Sequence, residues 1–426
     1  MEPQAYYAIV IFLVVYALII SEKIHRTILA MLGGVVMVAF GIVDQETALH
    51  HVDFNTLGLL IGMMIIVSVT ADTGLFKFVA VWAAKRAKGE PVRILVALTC
   101  ITAIGSAFLD NVTTVLLIVP VTFSITRQLG VTPIPYLLAE IMASNIGGTA
   151  TLIGDPPNIM IGSAVEELTF MAFIENLTPV VLIVLLTHIP LFVLLFRKRL
   201  HTTEERKAGI MRMETAGLIT DRKLMKLCLA ITGLTILGFF LHQALHIESA
   251  TVALAGAFVL LLFAGEHRME QALTRVEWTT IFFFVGLFVL VSGLEETGVI
   301  AELASRAVEW TGGDPVAASM LILWLSAIAS SFLDNIPFVA TMIPMIQEMG
   351  RMGVTDLEPL WWSLALGACL GGNGTLIGAS ANLVVAGLAG KEGYPIRFVP
   401  YLKIGFPLML LSIAICSVYI YLRYLL

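Results

Sequence analysis

Two glycine-rich stretches of the sequence carry side chains that could hold a small polar solute or a cation. The first is Ser144–Asn158, SNIGGTATLIGDPPN, and the second is Gly371–Asn382, GGNGTLIGASAN. They align without a gap at a spacing of 224 residues, so that Asn158 coincides with Asn382. Amide, hydroxyl and carboxylate oxygens suit hydroxylated solutes and hard cations, and a carboxylate can also exchange a proton.

A second pair of motifs follows the same spacing. Ser106–Asn111, SAFLDN, corresponds to Ser330–Asn335, SSFLDN, so both stretches present one acidic and one amide side chain at the same point. The repeated motifs show that the chain contains two copies of one unit. We place them at residues 1–199 and 225–426, joined by a polar, basic linker at residues 200–224.

The composition predicts a membrane protein. Hydrophobic residues make up 58% of the chain, charged residues only 13%, and the mean hydropathy is +0.93, far from the values of soluble globular domains. Apolar runs of roughly 16 to 25 residues fit helices that cross a ~30 Å hydrocarbon core. The four cysteines stand singly, without metal-binding spacing, so we expect no metal site and no resident cofactor.

The apolar runs predict an all-α polytopic fold of about ten transmembrane helices, five in each copy. The predicted spans are Ala5–Ser21, Thr27–Ile42, Thr56–Ala71, Ile134–Ala164 and Asn176–Phe196, then Leu227–Leu241, Ser249–Ala264, Trp278–Gly293, Pro359–Leu388 and Tyr401–Tyr421. The fourth span of each copy contains a glycine-rich stretch and is predicted to be a broken helix. Residues 93–127 and 316–351 are apolar but interrupted by the FLDN motif, which is typical of a re-entrant helical hairpin with a polar tip.

An odd number of crossings per copy inverts the second copy relative to the first. With both termini on the extracytoplasmic side, all but three of the 25 Lys and Arg residues fall on the cytoplasmic side; the exceptions are Arg306, Arg351 and Arg423. Positive charge concentrates on the cytoplasmic side of membrane proteins, so this topology is favoured, with the linker cytoplasmic. We expect a multi-pass protein of the inner (plasma) membrane.

Inverted repeats with broken helices are the architecture of secondary transporters, in which solute and coupling ion bind near the membrane centre. The predicted substrate-binding residues are the amides and hydroxyls of the four motifs: Asn111, Asn145, Thr149, Thr151, Asn158, Asn335, Asn373, Thr375, Ser380 and Asn382. Carboxylates inside a membrane are costly and usually functional. The predicted proton-coupling residues are therefore Asp110, Asp155, Asp334 and Glu140.

These assignments have structural alternatives. Asp110 and Asp334 could only cap the second arms of their hairpins, and the asparagines could only cap half-helices. Asp155, followed by two prolines, could only cap the second half of its broken helix. Glu140 could extend its carboxylate to the membrane interface instead of serving a proton route.

The motifs SNIGGTATLIGDPPN, FLDNVTT, FLDNIPF and GGNGTLIGASAN closely resemble those of the ArsB/NhaD branch of the ion-transporter superfamily. That branch contains arsenite efflux permeases, Na⁺/H⁺ antiporters and the melanosomal P protein, and the resemblance extends over nearly the whole chain. It implies that both repeats contribute a hairpin and a broken helix to a mobile transport domain. It also implies a homodimer that works by an elevator-like motion.

The four motifs contain three carboxylates and no Arg, Lys or His, which disfavours an organic-anion carrier because like charges repel at close range. Arsenous acid is uncharged at neutral pH and suits amides and hydroxyls, while Na⁺ suits the same oxygens. We therefore rank proton-coupled efflux of arsenite or antimonite first and Na⁺/H⁺ antiport, with bound Na⁺, second. An organic-anion carrier and a passive channel rank below them.

The expected partners are a small inorganic solute or ion, protons, the lipid bilayer and a second copy of the chain. A cytoplasmic ATPase is left open as a further partner. Neither enzymatic activity nor nucleic-acid binding is expected.

The predicted topology can be tested by labelling. A cysteine introduced at Thr203, in the linker, should react with an impermeant thiol reagent only from the cytoplasmic face, because the charge distribution places the linker there. Labelling from outside intact cells would contradict the inverted-repeat assignment.

Overall fold

The computed structural model describes residues 3–21, 23–215, 217–242, 245–265 and 267–426, and within these ranges all regular structure is helical. The helices of the first copy are α1 (Pro3–Ile20), α2 (Arg26–Ala39), α3 (Gln45–His50), α4 (Phe54–Asp72), α5 (Leu75–Arg86), α6 (Pro91–Phe108), α7 (Asn111–Leu129), α8 (Ile134–Gly148), α9 (Pro156–Ala164) and α10 (Phe170–Phe196). A 3-10 turn at Arg197–Arg199 and α11 (Glu204–Arg212) lead to the second copy.

The second copy repeats the helix order of the first. Its helices are α12 (Arg222–Leu241), α13 (Ser249–Ala264), α14 (His267–Thr274), α15 (Trp278–Glu296), α16 (Val299–Thr311), α17 (Pro315–Phe332), α18 (Asn335–Arg351), α19 (Glu358–Gly371), α20 (Ser380–Lys391) and α21 (Phe398–Ile420). In the described part of the chain, nine helices are long and apolar enough to cross a membrane. The predicted fold class, an all-α polytopic membrane protein, is confirmed.

The helix ends differ from the predicted spans where polar caps extend them. α10 begins at Phe170 rather than Asn176, because the Thr169 side chain accepts a hydrogen bond from a backbone N–H of the first turn. α12 begins at Arg222 rather than Leu227, because the Asp221 side chain accepts hydrogen bonds from backbone N–H groups of its first turn. Such caps satisfy the first N–H groups of a helix and let it continue beyond the apolar run.

The two copies interlock through two equivalent helix crossings. α2 packs against α15, and α4 packs against α13. Gly62 and Gly286, which are equivalent residues, lie at these crossings: a Cβ atom on Gly62 would lie 2.6 Å from the backbone of Ala253, and one on Gly286 would lie 2.5 Å from that of Met31. Small residues let helices approach closely in a membrane. We call α1, α2, α4, α12, α13 and α15 the scaffold.

The hairpins and broken helices pack together beside the scaffold. The first arm of each hairpin, α6 or α17, runs along the first half of the broken helix of its own copy, α8 or α19. Helix α8 has 15 residues, about 22 Å at 1.5 Å per residue. Its end lies beside the hairpin tip, because the Ser106 hydroxyl donates to the carbonyl oxygen of Ser144 at 2.6 Å. We call α6–α9 and α17–α20 the hairpin body.

An ion pair between the loop after α3 and the end of α15 makes a pH-dependent contribution. His51 follows α3, and its Nε2 atom lies 3.5 Å from Glu295 Oε2 and 3.8 Å from Glu296 Oε1. The hydrogen bond to Glu295 is the largest of the interactions that raise the pKa of His51 to about 9.

We therefore predict that His51→Gln lowers the melting temperature of the solubilised protein at pH 6 but not at pH 10. A histidine with a raised pKa stabilises the folded state below its unfolded pKa of about 6.5, and this stabilisation is lost as the pH rises through the folded pKa. Thermal unfolding of both proteins at the two pH values tests this. A difference that persists at pH 10 would show that the ion pair is not its origin.

Candidate functional site

In both copies, a threonine of the break donates a hydrogen bond to a backbone carbonyl group at the adjacent hairpin tip. The Thr151 hydroxyl donates to the carbonyl oxygen of Ala107, and the equivalent Thr375 hydroxyl donates to that of Ser331 at 2.5 Å. A backbone carbonyl without a partner is costly inside a membrane, so these bonds hold the tip and the break together.

The asparagines that follow the breaks form hydrogen bonds across them. We call the hydrogen bonds that asparagines and threonines make at the two breaks the bracing network. Asn158 Nδ2 donates to the carbonyl oxygens of Thr149 (3.2 Å) and Thr151 (2.9 Å). Asn382 Nδ2 donates to those of Gly372 (2.7 Å) and Thr375 (2.9 Å). Both asparagines are fully buried. The geometry thus agrees with the structural alternative stated for the asparagines, in which they satisfy the ends of half-helices.

A third asparagine joins the two breaks. Asn145 Nδ2 donates to Asn373 Oδ1 at 2.9 Å and to Asn382 Oδ1 at 3.0 Å, and its own Oδ1 accepts from Asn111 Nδ2 at 3.1 Å. The residue equivalent to Asn145 is Cys369, whose thiol lies 3.5 Å from Asn158 Oδ1. The first copy therefore uses an amide at the position where the second copy uses a thiol.

A cavity of about 30 Å³ lies between the hairpin body and the scaffold. From the hairpin body it is lined by both tips and the starts of both second half-helices: Asp110, Asn111, Val112, Asp155, Pro156, Asn335, Ile336 and Ser380. The scaffold contributes Arg26, Leu60, Met64, Glu277 and Thr280. We call this the central cavity. The other predicted binding residues, including Thr149, Thr151 and Thr375, lie behind it in the bracing network.

Asp155 is the buried acid of this cavity. It occupies the cap position of α9, yet its side chain makes no cap hydrogen bond. Its carboxylate oxygens instead lie 3.4 and 3.5 Å from Asn335 Nδ2 of the opposite hairpin, and the residue is 1% exposed. The capping alternative for Asp155 is therefore wrong, because the carboxylate points across the cavity and away from the first turn of its own helix.

The tip acids do act as caps, and they differ in what else they contact. Asp110 accepts from the backbone N–H (2.8 Å) and the hydroxyl of Thr113. Asp334 accepts from the backbone N–H of Ile336 at 3.2 Å, and it also forms an ion pair with Arg26. Only one of these two acids has a cation beside it.

Glu140 lies apart from the central cavity. It is fully buried against α7, where its Oε1 atom accepts a hydrogen bond of 2.5 Å from the Thr122 hydroxyl and its Oε2 atom has no partner among the described residues. The expectation that it could extend to the interface is wrong, because α7 covers it. The structure does not bring Glu140 together with Asp110, Asp155 and Asp334.

Sequence reasoning missed the scaffold side of the cavity. Arg26 invalidates the premise that no cation lies at the site, because it reaches the hairpin tip from a helix more than 300 residues away in sequence. The sequence contains no signal for Arg26 at the site, because a basic residue at this helix start is explained by the cytoplasmic charge bias. The repeat does not mark it either, since the equivalent residue is Ala250. Glu277 did leave a signal, since the equivalent residue, Asp53, is also acidic and also directly precedes a span.

Two larger cavities are lined by polar and apolar side chains of both copies. A cavity of about 320 Å³ between α1, the start of α2 and the second hairpin ends at Arg26, Asp334 and Ser380. Another of about 180 Å³ is lined by residues that include Asp53, Ser163, Glu295 and Gln347. The first of these cavities adjoins the central cavity, because Arg26 and Ser380 line both.

The fold and the site define a polytopic membrane transporter built from two repeats. The profile of the citrate transporter family, CitMHS, matches residues 16–367, and the chain belongs to this family.

Relatives of known sequence agree with this class. An uncharacterised transporter of Mycobacterium tuberculosis (strain H37Rv) is 43% identical over 425 residues, covering 98% of both chains. The P protein of Mus musculus is 37% identical over 501 residues, covering 98% of this chain and 60% of the P protein. The crystal structure of the YdaH transporter of Alcanivorax borkumensis shares the fold, with a TM-score of 0.61 at 14% identity over 99% of this chain and 98% of that one. The resemblance to the P protein is confirmed, and the arsenite permease branch stays a prediction.

The bracing network predicts a specific loss on mutation. Asn158→Ala and Asn382→Ala should both abolish transport while the protein still inserts and folds, with a lower melting temperature. Asn158→Ala removes the donor to the carbonyl groups of Thr149 and Thr151, and Asn382→Ala removes the donor to that of Gly372, at about 1–3 kcal/mol per buried group left without a partner. Wild-type transport in both variants would show that the breaks do not need these amides.

Proposed function

We propose that this chain is a proton-coupled secondary transporter that exchanges a small cation, Na⁺ first, for protons at the central cavity. The observation that carries the proposal is Asp155. Its carboxylate is buried next to the Asn335 amide and the Cys369 thiol, and no cation of the described residues forms an ion pair with it. A buried charge without a counter-charge is strongly disfavoured, so this group must bind either a proton or a cation.

The size and lining of the cavity support Na⁺ as the cation. Its volume of about 30 Å³ has room for a single ion, and its lining offers the oxygens of Asp110, Asp155, Glu277 and Thr280. Hard cations prefer such ligands. Among the described residues no three Asp, Glu, His or Cys side chains converge to hold a metal by themselves. Amide and hydroxyl oxygens would therefore complete the coordination of Na⁺.

Efflux of arsenite or antimonite is the second candidate. The observation that favours it is the Cys369 thiol, which lies beside both Asp155 and Asn158 at the break. A soft thiolate or thiol suits a thiophilic solute better than it suits Na⁺.

The family description raises citrate as a third solute. Arg26 is a cation that could attract an organic anion, but its guanidinium already pairs with Asp334. Two further carboxylates and Glu277 line the same cavity. A tricarboxylate would meet a net negative site, so we rank it below the other two.

The proposal includes the resemblance-based expectations of a homodimer, an elevator-like motion of the hairpin body against the scaffold, and an inner-membrane location. Its support is the central cavity, which is lined by the scaffold on one side and by both tips and both second half-helices of the hairpin body on the other. A body that carries both tips and both breaks could move as one unit.

Everted vesicles test the function directly. An imposed proton gradient should drive Na⁺ against its concentration gradient, and Asp155→Asn should abolish this accumulation because the amide is isosteric with the carboxylate but does not titrate. Arsenite and citrate are assayed in parallel under the same gradient.

Asp44→Asn is the matched control, because Asp44 is an exposed acid that caps α3 and lies outside the central cavity. It should transport like wild type. Uphill transport with an unchanged pH profile in Asp155→Asn would contradict the role of Asp155. Equilibration that the gradient cannot drive uphill would indicate a channel.

A further inference from the structure

Arg26 is fixed to the scaffold and bonded to the hairpin body. Its guanidinium lies 4.8 Å from the centre of the Phe283 ring on α15, a cation–π contact within the scaffold. The Nη1 atom donates to Asp334 Oδ2 and, at 2.8 Å, to Ser380 Oγ. The Ser380 hydroxyl donates to the same Asp334 oxygen at 3.0 Å. Three groups from α2, the second hairpin tip and α20 therefore converge on one point.

This arrangement exists on one side of the molecule only. The residue equivalent to Arg26 is Ala250, and the residue equivalent to Ser380 is Pro156. Asp110, the equivalent of Asp334, accepts from Thr113 and lines the cavity together with the acidic Glu277, and among the described residues it forms no ion pair. One tip acid is therefore neutralised by a cation of the protein, and the other is not.

The ion pair between Arg26 and Asp334 joins the scaffold to the hairpin body. Arg26 begins α2, whose crossing with α15 is held by the close approach at Gly286. Asp334 caps α18 and Ser380 begins α20, and both helices belong to the hairpin body. Any displacement of the second hairpin relative to the scaffold must therefore separate Arg26 from Asp334.

We propose that Asp334 and Ser380 form a cation site that Arg26 occupies in this conformation, and that a transported cation or a proton must replace Arg26 before the second hairpin can leave the scaffold. Arg26 is a positioning residue in this account, since it acts through Asp334. The inference rests on the proposed function, which supplies the cation or proton.

The physical reason is the cost of an unpaired charge. The side chains of Arg26 and Asp334 are 27% and 12% exposed. Separating this partly buried pair leaves the less exposed partner, the Asp334 carboxylate, without a counter-charge, which is destabilising unless another positive charge neutralises it. The empty hairpin is thus held in place, and the loaded hairpin is released. Such a site would prevent the carrier from moving without its coupling ion.

Cysteine reactivity tests the proposal without any substrate. Ile336 adjoins the tip, lines the central cavity and is 3% exposed. In solubilised protein whose four native cysteines are replaced, Ile336→Cys should react slowly with a thiol reagent. Adding Arg26→Gln should raise the rate at least tenfold, because the hairpin is no longer held. Arg26→Lys keeps the charge and should restore most of the protection.

Two further variants distinguish loss of the Arg26–Asp334 ion pair from a general destabilisation of the protein. Asp334→Asn should accelerate labelling as Arg26→Gln does, and the double variant should be no faster than either single one, since both remove the same interaction. Arg275→Gln is the matched control, because Arg275 forms an ion pair of 2.5 Å with Asp72 that does not touch the tips; it should leave the rate unchanged.

An unchanged labelling rate in Arg26→Gln overturns the proposal, as does a double variant whose acceleration is the product of the two single effects. The outcome is independent of the vesicle assay. If labelling accelerates as expected while vesicles show no proton-driven uptake, Arg26 holds the hairpin and the proposed exchange reaction is wrong. If vesicles show exchange and labelling is unchanged, the exchange reaction stands and the proposed role of Arg26 is wrong.

Discussion

A helix interrupted inside a membrane leaves backbone N–H and C=O groups that water cannot satisfy, and the rest of this structure depends on how they are satisfied. Both copies use the same solution. A threonine after the glycines bonds to the hairpin tip, and an asparagine in the second half-helix bonds back across the break. The tips and the breaks are consequently held at one depth, so the polar residues of both copies meet at one cavity.

Because this framework is nearly symmetric, the functional differences lie where the symmetry fails. Asp155 is matched by Ala379, Arg26 by Ala250, and Asn145 by Cys369. The first difference places a buried acid on one side, next to an amide, and the second places a cation on the other. A neutral, symmetric site could bind a solute equally in both halves, whereas this one holds charges that must be compensated differently as the solute enters and leaves.

The sequence alone was sufficient to locate the breaks and the paired helices on either side of each FLDN motif, because repetition identifies equivalent positions without any knowledge of contacts. It could not separate a bracing asparagine from a binding one, since both need the same residue at the same position. Nor could it decide whether Asp155 caps its helix, because that depends on which way one side chain points. Arg26 was out of reach for a simpler reason: its partner lies in the other copy, and a basic residue at a helix start already has an ordinary explanation in membrane topology.

The central claim is that a proton and the transported cation compete for the buried acid of the central cavity. It is tested most directly by adding Na⁺ to purified, weakly buffered protein and recording the pH. The account predicts that Na⁺ releases protons from the wild type and that Asp155→Asn releases far fewer. Proton release of the same size from both proteins, or no release from the wild type, would contradict it.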